Sequence, residues 1–300
     1  YTNMRVTDYT MSQQLLYQFG NSSQALAKSY SELSSGQKLI NPSDNPSEMA
    51  HVLSQTSDLR KIEQFKSNIT RATQVSTVTY ANIKSLKDIT TRASELGTVD
   101  DLTNAAAYEA KKAELNGLIE QAIQVANAQQ NGQYLFGANR TNAAPFTVAR
   151  DTDGNATGVT YAGSTSSSSI PVSDNVNVNP YSTPTQNQQI GDVLDHLIAL
   201  RDALDDADPT ATKAANVNVV ADEDVIINQM SEQAAIQSRL ELISDQHKSS
   251  TTATTVDISA RADVDIAEAT VRYNMMQNAY QASVAAGSKM LSVSLLNYLP

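Results

Sequence analysis

Three histidines, His51, His196 and His247, are the side chains best suited to hold a metal or to move a proton near neutral pH. None stands in an H-x-x-x-H or comparable ligand spacing, so each is expected to be an ordinary solvated or half-buried helix residue. Asp151-x-Asp153-Gly154-Asn155 has the texture of a calcium loop. An EF-hand needs glycine at its sixth position and a bidentate glutamate at its twelfth, and the twelfth here is Ala162, so a tight turn is expected instead. The acidic runs Asp205-Asp206-x-Asp208 and Asp222-Glu223-Asp224 are expected to be solvated charges or helix-end partners. G-x-x-x-x-G-K-[ST], G-x-S-x-G and G-x-G-x-x-G do not occur, and the chain has no cysteine. No nucleophile, metal site, catalytic residue or cofactor site can be nominated, and the chain is expected not to be an enzyme.

The elements that would have to position such groups are of an unusual kind. Of 300 residues only 40% are hydrophobic and 5% aromatic, without tryptophan, a composition that buries narrow stripes better than thick interiors. Long helices are the natural consequence. Lys plus Arg number 21 against 32 Asp plus Glu, and a net charge of −11 repels phosphate backbones and anionic lipid surfaces. Neither nucleic acid nor membrane is expected as a partner. No run approaches the ~18 apolar residues of a membrane span, and the first residues lack a basic-then-apolar signal peptide, so export would use no cleavable signal.

Leu15, Phe19, Ser22, Leu26, Ser29 and Leu33 alternate by four and three and define one seam of a first helix that ends at Gly36. With two serines in it, this seam gains little by itself and needs a partner face. Asn41-Pro42-Ser43-Asp44-Asn45-Pro46 is a turn, with Asn45 placed to cap a new helix, Pro46 at its first position and Glu48 in its first turn. From Pro46 to Leu96 neither glycine nor proline interrupts, while Ile62, Phe65, Ile69, Ala72, Val75, Thr79, Ile83, Leu86, Ile89, Ala93 and Leu96 recur at three or four. Some fifty helical residues would span roughly 75 Å. A third helix over about 104–130, carrying Tyr108, Leu115, Leu118, Ala122 and Val125, is expected to fold back on the second.

Between Tyr134 and Pro184, glycines and prolines punctuate short β-branched runs, and Phe146-Thr147-Val148 and Gly158-Val159-Thr160-Tyr161 flank an Asp-Gly turn, which predicts a hairpin. Ser164–Ser169 reads as a loose loop. Helical texture resumes near Ile190, breaks at Pro209 and returns over about 211–247. The C-terminal segment keeps a strict alternation through Ile266, Ala269, Tyr273, Met276, Tyr280, Ser283, Gly287, Met290 and Ser294, with a second apolar edge at Val284, Leu291, Leu295 and Tyr298. One neighbour cannot cover both edges. The segmentation that follows is 1–45 and 256–300 as two halves of a terminal coiled-coil domain, 46–133 as a helical rod, 134–189 as a β-rich outer domain and 190–255 as the helical return.

Glu32-Leu33-Ser34-Ser35-Gly36-Gln37-Lys38-Leu39-Ile40-Asn41-Pro42-Ser43-Asp44-Asn45-Pro46 resembles the N-terminal segment of the bacterial flagellin family, and its proline-flanked bend resembles the branch that joins hook to filament. Asn131–Gly137 with Ala143-Ala144-Pro145-Phe146, and Asp265–Thr270 through Gln281-Ala282-Ser283 to Leu295–Leu299, are similar to the same branch, as is Met4-Arg5-Val6 near the start. These stretches cover about the first 146 and last 40 residues, in order; Thr147 to about Asp263 carries no family motif.

The resemblance implies an elongated, mainly α fold with a small β-rich insertion, its terminal helices paired as a coiled coil, and an extracellular place at the hook–filament junction. It implies as partners the preceding hook-associated protein, flagellin, further copies of the chain in a ring, and an export chaperone on the C-terminal helix. The residues expected to carry assembly are Leu15, Phe19, Leu26, Leu33, Tyr273, Met276, Tyr280, Met290, Leu291 and Leu295. Both ends are expected to be largely disordered before assembly, since neither buries enough to offset roughly 1–2 kcal/mol of backbone entropy per residue. Flagellin itself, and a secreted coiled-coil adhesin using residues 147–184 for recognition, are the alternatives.

Overall fold

The structure, a computed structural model, describes the backbone of residues 8–98, 105–206 and 208–296 and the side chains of 10, 13–98, 107–206 and 208–289. The chain forms helices α1 (Asp8–Ser35), α2 (Pro46–Gly97) and α3 (Ala105–Ala126). Strands β1 (Gln129–Gln130), β2 (Gln133–Tyr134), β3 (Phe146–Arg150), β4 (Ala156–Tyr161), β5 (Ile170–Ser173) and β6 (Val176–Val178) follow, then helices α4 (Pro184–Asp205), α5 (Pro209–Ala262) and α6 (Ile266–Leu296). The strands pair only as successive antiparallel hairpins, so the fold is mainly α with a small β insertion. Contacts divide it into two compact units: the described residues of Tyr1–Arg60 with Ser250–Pro300, and those of Lys61–Ser249.

The Lys61–Ser249 unit holds the larger core. Val75, Ile83, Leu86, Ile89, Ala93 and Leu96 of α2 join Leu115, Ile119, Ala122 and Ile123 of α3, and Ile190, Leu194, Leu197, Leu200 and Leu204 of α4, in one buried cluster. The α2 periodicity thus marks a real buried stripe from Ile69 onward. Helix α3 folds back on α2 as expected, sharing its core and the Arg92–Glu114 ion pair at 2.7 Å, and lies closest to α4. Ile69, Ala72, Leu240 and the β5–β6 residues Ile170, Val172 and Val178 form a second, smaller cluster.

Local chemistry explains the element ends. The β3–β4 hairpin forms as predicted, with Phe146 opposite Tyr161. Its turn is closed by Asp151, whose carboxylate accepts the Asp153 and Asn155 N–H groups at 2.9 and 2.8 Å, with Gly154 at φ +90°. That carboxylate is spent on its own loop. Helix α4 starts at Pro184, six residues before the expected Ile190, because Thr183 and Gln186 make a reciprocal capping box and Pro184 takes the first turn. Helix α3 stops at Ala126 rather than near Gln130, and the Asn127 amide clamps both the N–H and the carbonyl of Phe146 at 3.1 Å. Helix α5 does not end at His247 but runs unbroken to Ala262 through a Ser/Thr tract. A hydroxyl there, Thr255 Oγ1, donates to the carbonyl four residues back at 2.7 Å, and no glycine or proline stops the helix.

The middle of the chain also buries polar groups that no motif announced. Arg201 donates to the Ala156 carbonyl at 2.7 Å, to Asn116 Oδ1 at 3.2 Å and to Asp202, tying α4 to the start of β4. Gln233 donates to Ser76 Oγ and to the Pro180 carbonyl, both at 2.8 Å. His247, expected to be solvated or half-buried, is buried: its Nε2 bonds the Val172 carbonyl at 2.7 Å and its ring stacks on Phe65. Asp222, expected to be a solvated charge or a helix-end partner, is buried against His196 Nδ1 at 2.8 Å, and burial pushes its carboxyl above the usual range despite that bond. An Arg201→Met variant should be less stable by about 2–3 kcal/mol, since a buried carbonyl loses a charge-assisted partner. Urea denaturation followed by circular dichroism measures this; an unchanged midpoint would remove Arg201 from the supports of the hairpin.

Candidate assembly interface

In the Tyr1–Arg60 and Ser250–Pro300 unit, α1 and α6 run antiparallel, and the contacts between them keep one register. Leu15 packs over Gly287, Phe19 meets Tyr280 at a ring separation of 5.2 Å, and Ser22 Oγ faces Ser283 Oγ at 3.5 Å. Further along, Tyr30 meets Tyr273 at 6.2 Å, and the buried Glu32 reaches Arg272 at 3.6 Å. The register continues past the helices into the Gln37–Asp263 bridge, flanked by Lys38 N–H to the Ala262 carbonyl at 2.7 Å and Val264 N–H to the Gly36 carbonyl at 2.9 Å. Gly36 leaves α1 at φ +70°, a conformation that favours glycine there.

The loop between α1 and α2 is folded by one carboxylate. Asp44 accepts the Ile40 and Asn41 N–H groups at 3.3 and 2.9 Å and pairs with Lys28 Nζ at 2.7 Å. The Lys28 ammonium, then the Asn41 N–H, hold its carboxyl below the ordinary value. Asn45 Oδ1 accepts the Glu48 N–H at 3.2 Å, the cap expected for α2. Arg261, near the end of α5, pairs with Glu48 at 2.9 Å and Asp257 at 3.0 Å.

Of the residues expected to carry assembly, Leu15, Phe19, Leu26 and Leu33 on α1 and Tyr273, Met276 and Tyr280 on α6 are all half-buried on facing seams. Met290, Leu291 and Leu295 lie on α6 but outside the described side chains. Ile266, placed by its spacing on the seam, is instead 54% exposed at the first turn of α6. Both ends form helices, each covering one stripe of the other. What they leave open is the rest of their apolar surface: Leu16 and Tyr17 are 71% and 73% exposed, Tyr30 61%, Val271 54% and Met275 62%, with Val284 at the predicted second edge also uncovered. Tyr17 and Met276 line a shallow groove with Gln14, Asn21, Ser22 and Ala279. Leu16, Tyr17 and Tyr30 escaped the seam reading because they sit off the heptad line; their size in a chain with few aromatics was the available signal.

Among the described residues no three His, Cys, Asp or Glu side chains gather as metal ligands, and no helix is long and apolar enough to cross a membrane. The arrangement offers an apolar surface to a partner.

Comparison with known proteins points the same way. Residues 6–141 match the model of the bacterial flagellin N-terminal helical region. No curated protein sequence matches the chain. Among solved structures, a flagellar hook-associated protein from Vibrio parahaemolyticus superposes with a TM-score of 0.64 at 18% identity, over 73% of this chain and 100% of that one. FlgL from Bacillus cereus superposes with a TM-score of 0.60 at 21% identity, over 69% of this chain and 99% of that one.

The low value of the Asp44 carboxyl gives a pH window. Because it is depressed in the folded loop, its contribution is present above the unfolded value of about 3.9 and is lost as pH falls through the folded one. Proteolysis of the 36–45 loop should stay slow at neutral pH, accelerate only in acid, and be fast at neutral pH in Asp44→Asn. Equal cleavage of variant and parent at pH 7 would show that the carboxylate does not hold the loop. The chain carries a flagellin-type N-terminal region on a fold shared with flagellar hook-associated proteins.

Proposed function

We propose that this chain is a structural subunit of the bacterial flagellum that forms the hook–filament junction, as hook-associated protein 3 does. A ring of copies would sit between the preceding hook-associated protein and the first flagellin layer, joining two lattices of different mechanical character. The observation that carries this reading is the incomplete cover on the α1–α6 pair: Leu16, Tyr17, Tyr30, Val271, Met275 and Val284 remain open along helices whose other seam is already paired. The match of residues 6–141 to the flagellin N-terminal region supports placing that surface in a flagellar lattice.

In this reading the terminal helices form the ring's inner wall and the hairpin-bearing segment faces outward. The outer pieces are 46–133 as rod, 134–189 as β-rich domain and 190–255 as return, with α4 moving the last boundary back to Pro184. Leu15, Phe19, Leu26 and Leu33, with Tyr273, Met276, Tyr280, Met290, Leu291 and Leu295, carry assembly, the first seven by holding the pair together and the last three by meeting neighbours. Export proceeds through the flagellar channel to the extracellular tip, a chaperone covering the C-terminal helix on the way. The subunit binds no cofactor and catalyses nothing.

Deleting the gene should leave cells that secrete intact flagellin into the medium and do not swim. The pair of substitutions Leu291→Asp and Leu295→Asp in an otherwise complete chain should reproduce that phenotype while leaving the Lys61–Ser249 unit folded. Normal filaments on the deletion strain would contradict the junction role, and long filaments grown from the purified chain alone would favour the filament subunit instead.

A further inference from the structure

We infer that Asn131 is a site of spontaneous covalent modification, the residue at which the folded chain deamidates, and that opening of the β1–β2 hairpin controls the reaction. Asn-Gly is the dipeptide in which a following residue without a Cβ leaves the asparagine side chain open to attack by the next backbone nitrogen. It occurs twice, at Asn116-Gly117 and Asn131-Gly132. At either place the glycine nitrogen would bond to the asparagine side-chain carbonyl carbon, the side-chain amide nitrogen would leave as ammonia with the glycine proton, and a five-membered imide would remain. Water then opens the imide at one carbonyl or the other. The products are aspartate and isoaspartate, the second with its main chain routed through the side-chain methylene.

What separates the two sites is the backbone that holds them. Asn116 stands inside α3 between Leu115 and Ile119, which are 0% and 1% exposed in the larger core, and its Oδ1 accepts Arg201 Nη1 at 3.2 Å. The Gly117 nitrogen belongs to the helix ladder, so closing the ring there requires α3 to break and the core with it. Asn131 and Gly132 are both exposed and form the two-residue loop of β1–β2, at φ +53° and +77°. This is the mirror-image turn that Asn-Gly favours, and it holds the following nitrogen on the far side of the Cα from the side chain. The closed hairpin therefore protects Asn131. Its ladder, however, is only two residue pairs long, Gln129 with Tyr134 and Gln130 with Gln133, and a two-stranded pair of that length is marginal by itself. Nothing within 4 Å of the Cβ position on Gly132 obstructs the swing, and the ties beyond the loop, Tyr134 N–H to the Thr141 carbonyl at 2.9 Å and Leu135 N–H to the Ala128 carbonyl at 3.1 Å, belong to residues outside it. Local opening thus exposes one Asn-Gly to the reaction and leaves the other closed. Isoaspartate would lengthen the loop by one backbone atom, so that Gln130 no longer meets Gln133 and the mirror-image turn is lost. The inference concerns the chain itself and stands apart from its place in the flagellum.

The two sites serve as controls for each other. The full-length chain is kept in warm, mildly alkaline buffer, with a parallel sample in concentrated urea, and is then cut after glutamate, since Glu120 divides Asn116 from Asn131. Mass spectrometry reads the conversion of amide to acid in each peptide. In buffer Asn131 should convert faster than Asn116 by about tenfold or more, while remaining slower than it is in urea. In urea, where both dipeptides are unfolded, the two rates should come together. A rate at Asn116 equal to or above that at Asn131 in buffer would overturn the assignment, as would a preference that persists unchanged in urea. Conversion of Asn131 as fast in buffer as in urea would remove the hairpin from control of the reaction, and an Asn131 left intact in buffer after both sites have turned over in urea would show that the loop does not open locally.

Discussion

Two helices lying side by side can cover one stripe on each other and no more, and the terminal helices of this chain carry more than one apolar stripe apiece. The Phe19–Tyr280 contact uses the inner stripes; Leu16, Tyr17, Val271 and Met275 are left over, and Tyr30 stays mostly exposed beside Tyr273. At about 25 cal/mol per Å² of apolar surface, leaving such side chains in water forfeits roughly 1.5–3 kcal/mol each, against a whole-domain stability of about 5–15 kcal/mol. The ends are poised: formed enough to have a shape, open enough to need company.

The Lys61–Ser249 unit solves the opposite problem. Its composition is as polar as the ends, yet α2, α3, α4 and α5 share one core, and the β3–β4 hairpin is strapped on by Asn127, Arg201 and Asp195, the last accepting the Val159 N–H at 2.8 Å. Buried polar groups that are fully bonded give a thin core a unique geometry that apolar contact alone would not. Gln233, anchored to Ser76 and the Pro180 carbonyl, does this between the two apolar clusters.

What could be read from the sequence was whatever depends on local spacing. The α1 seam, the Asn45-Pro46 start of α2, the α2 stripe and the Asp-Gly hairpin follow from periodicity, capping and turn chemistry, each written within a few residues. The errors share a cause. Pro184 was read as punctuation when, after Thr183 and before Gln186, it opens a helix. The helix expected over about 211–247 runs on to Ala262, because no periodicity marks the Ser/Thr-rich turns that α5 carries through. The full burial of Asp222 and His247 is not legible, because burial of a polar side chain is decided by a partner far along the chain, the His196 ring and the Val172 carbonyl here. The partial exposure of the terminal pair was legible only as an excess of apolar edges, without the particular residues that bear it.

Amide hydrogen exchange on the dilute full-length chain tests most directly whether the ends are incomplete interfaces. Residues 8–35 and 266–296 should exchange orders of magnitude faster than the buried turns of α2 and α4, through openings of a few kcal/mol or less, and become protected when the chain is incorporated into flagella. Protection of both ends in the lone chain equal to that of the Lys61–Ser249 core would mean that nothing is left for neighbours to cover, and the account would fail.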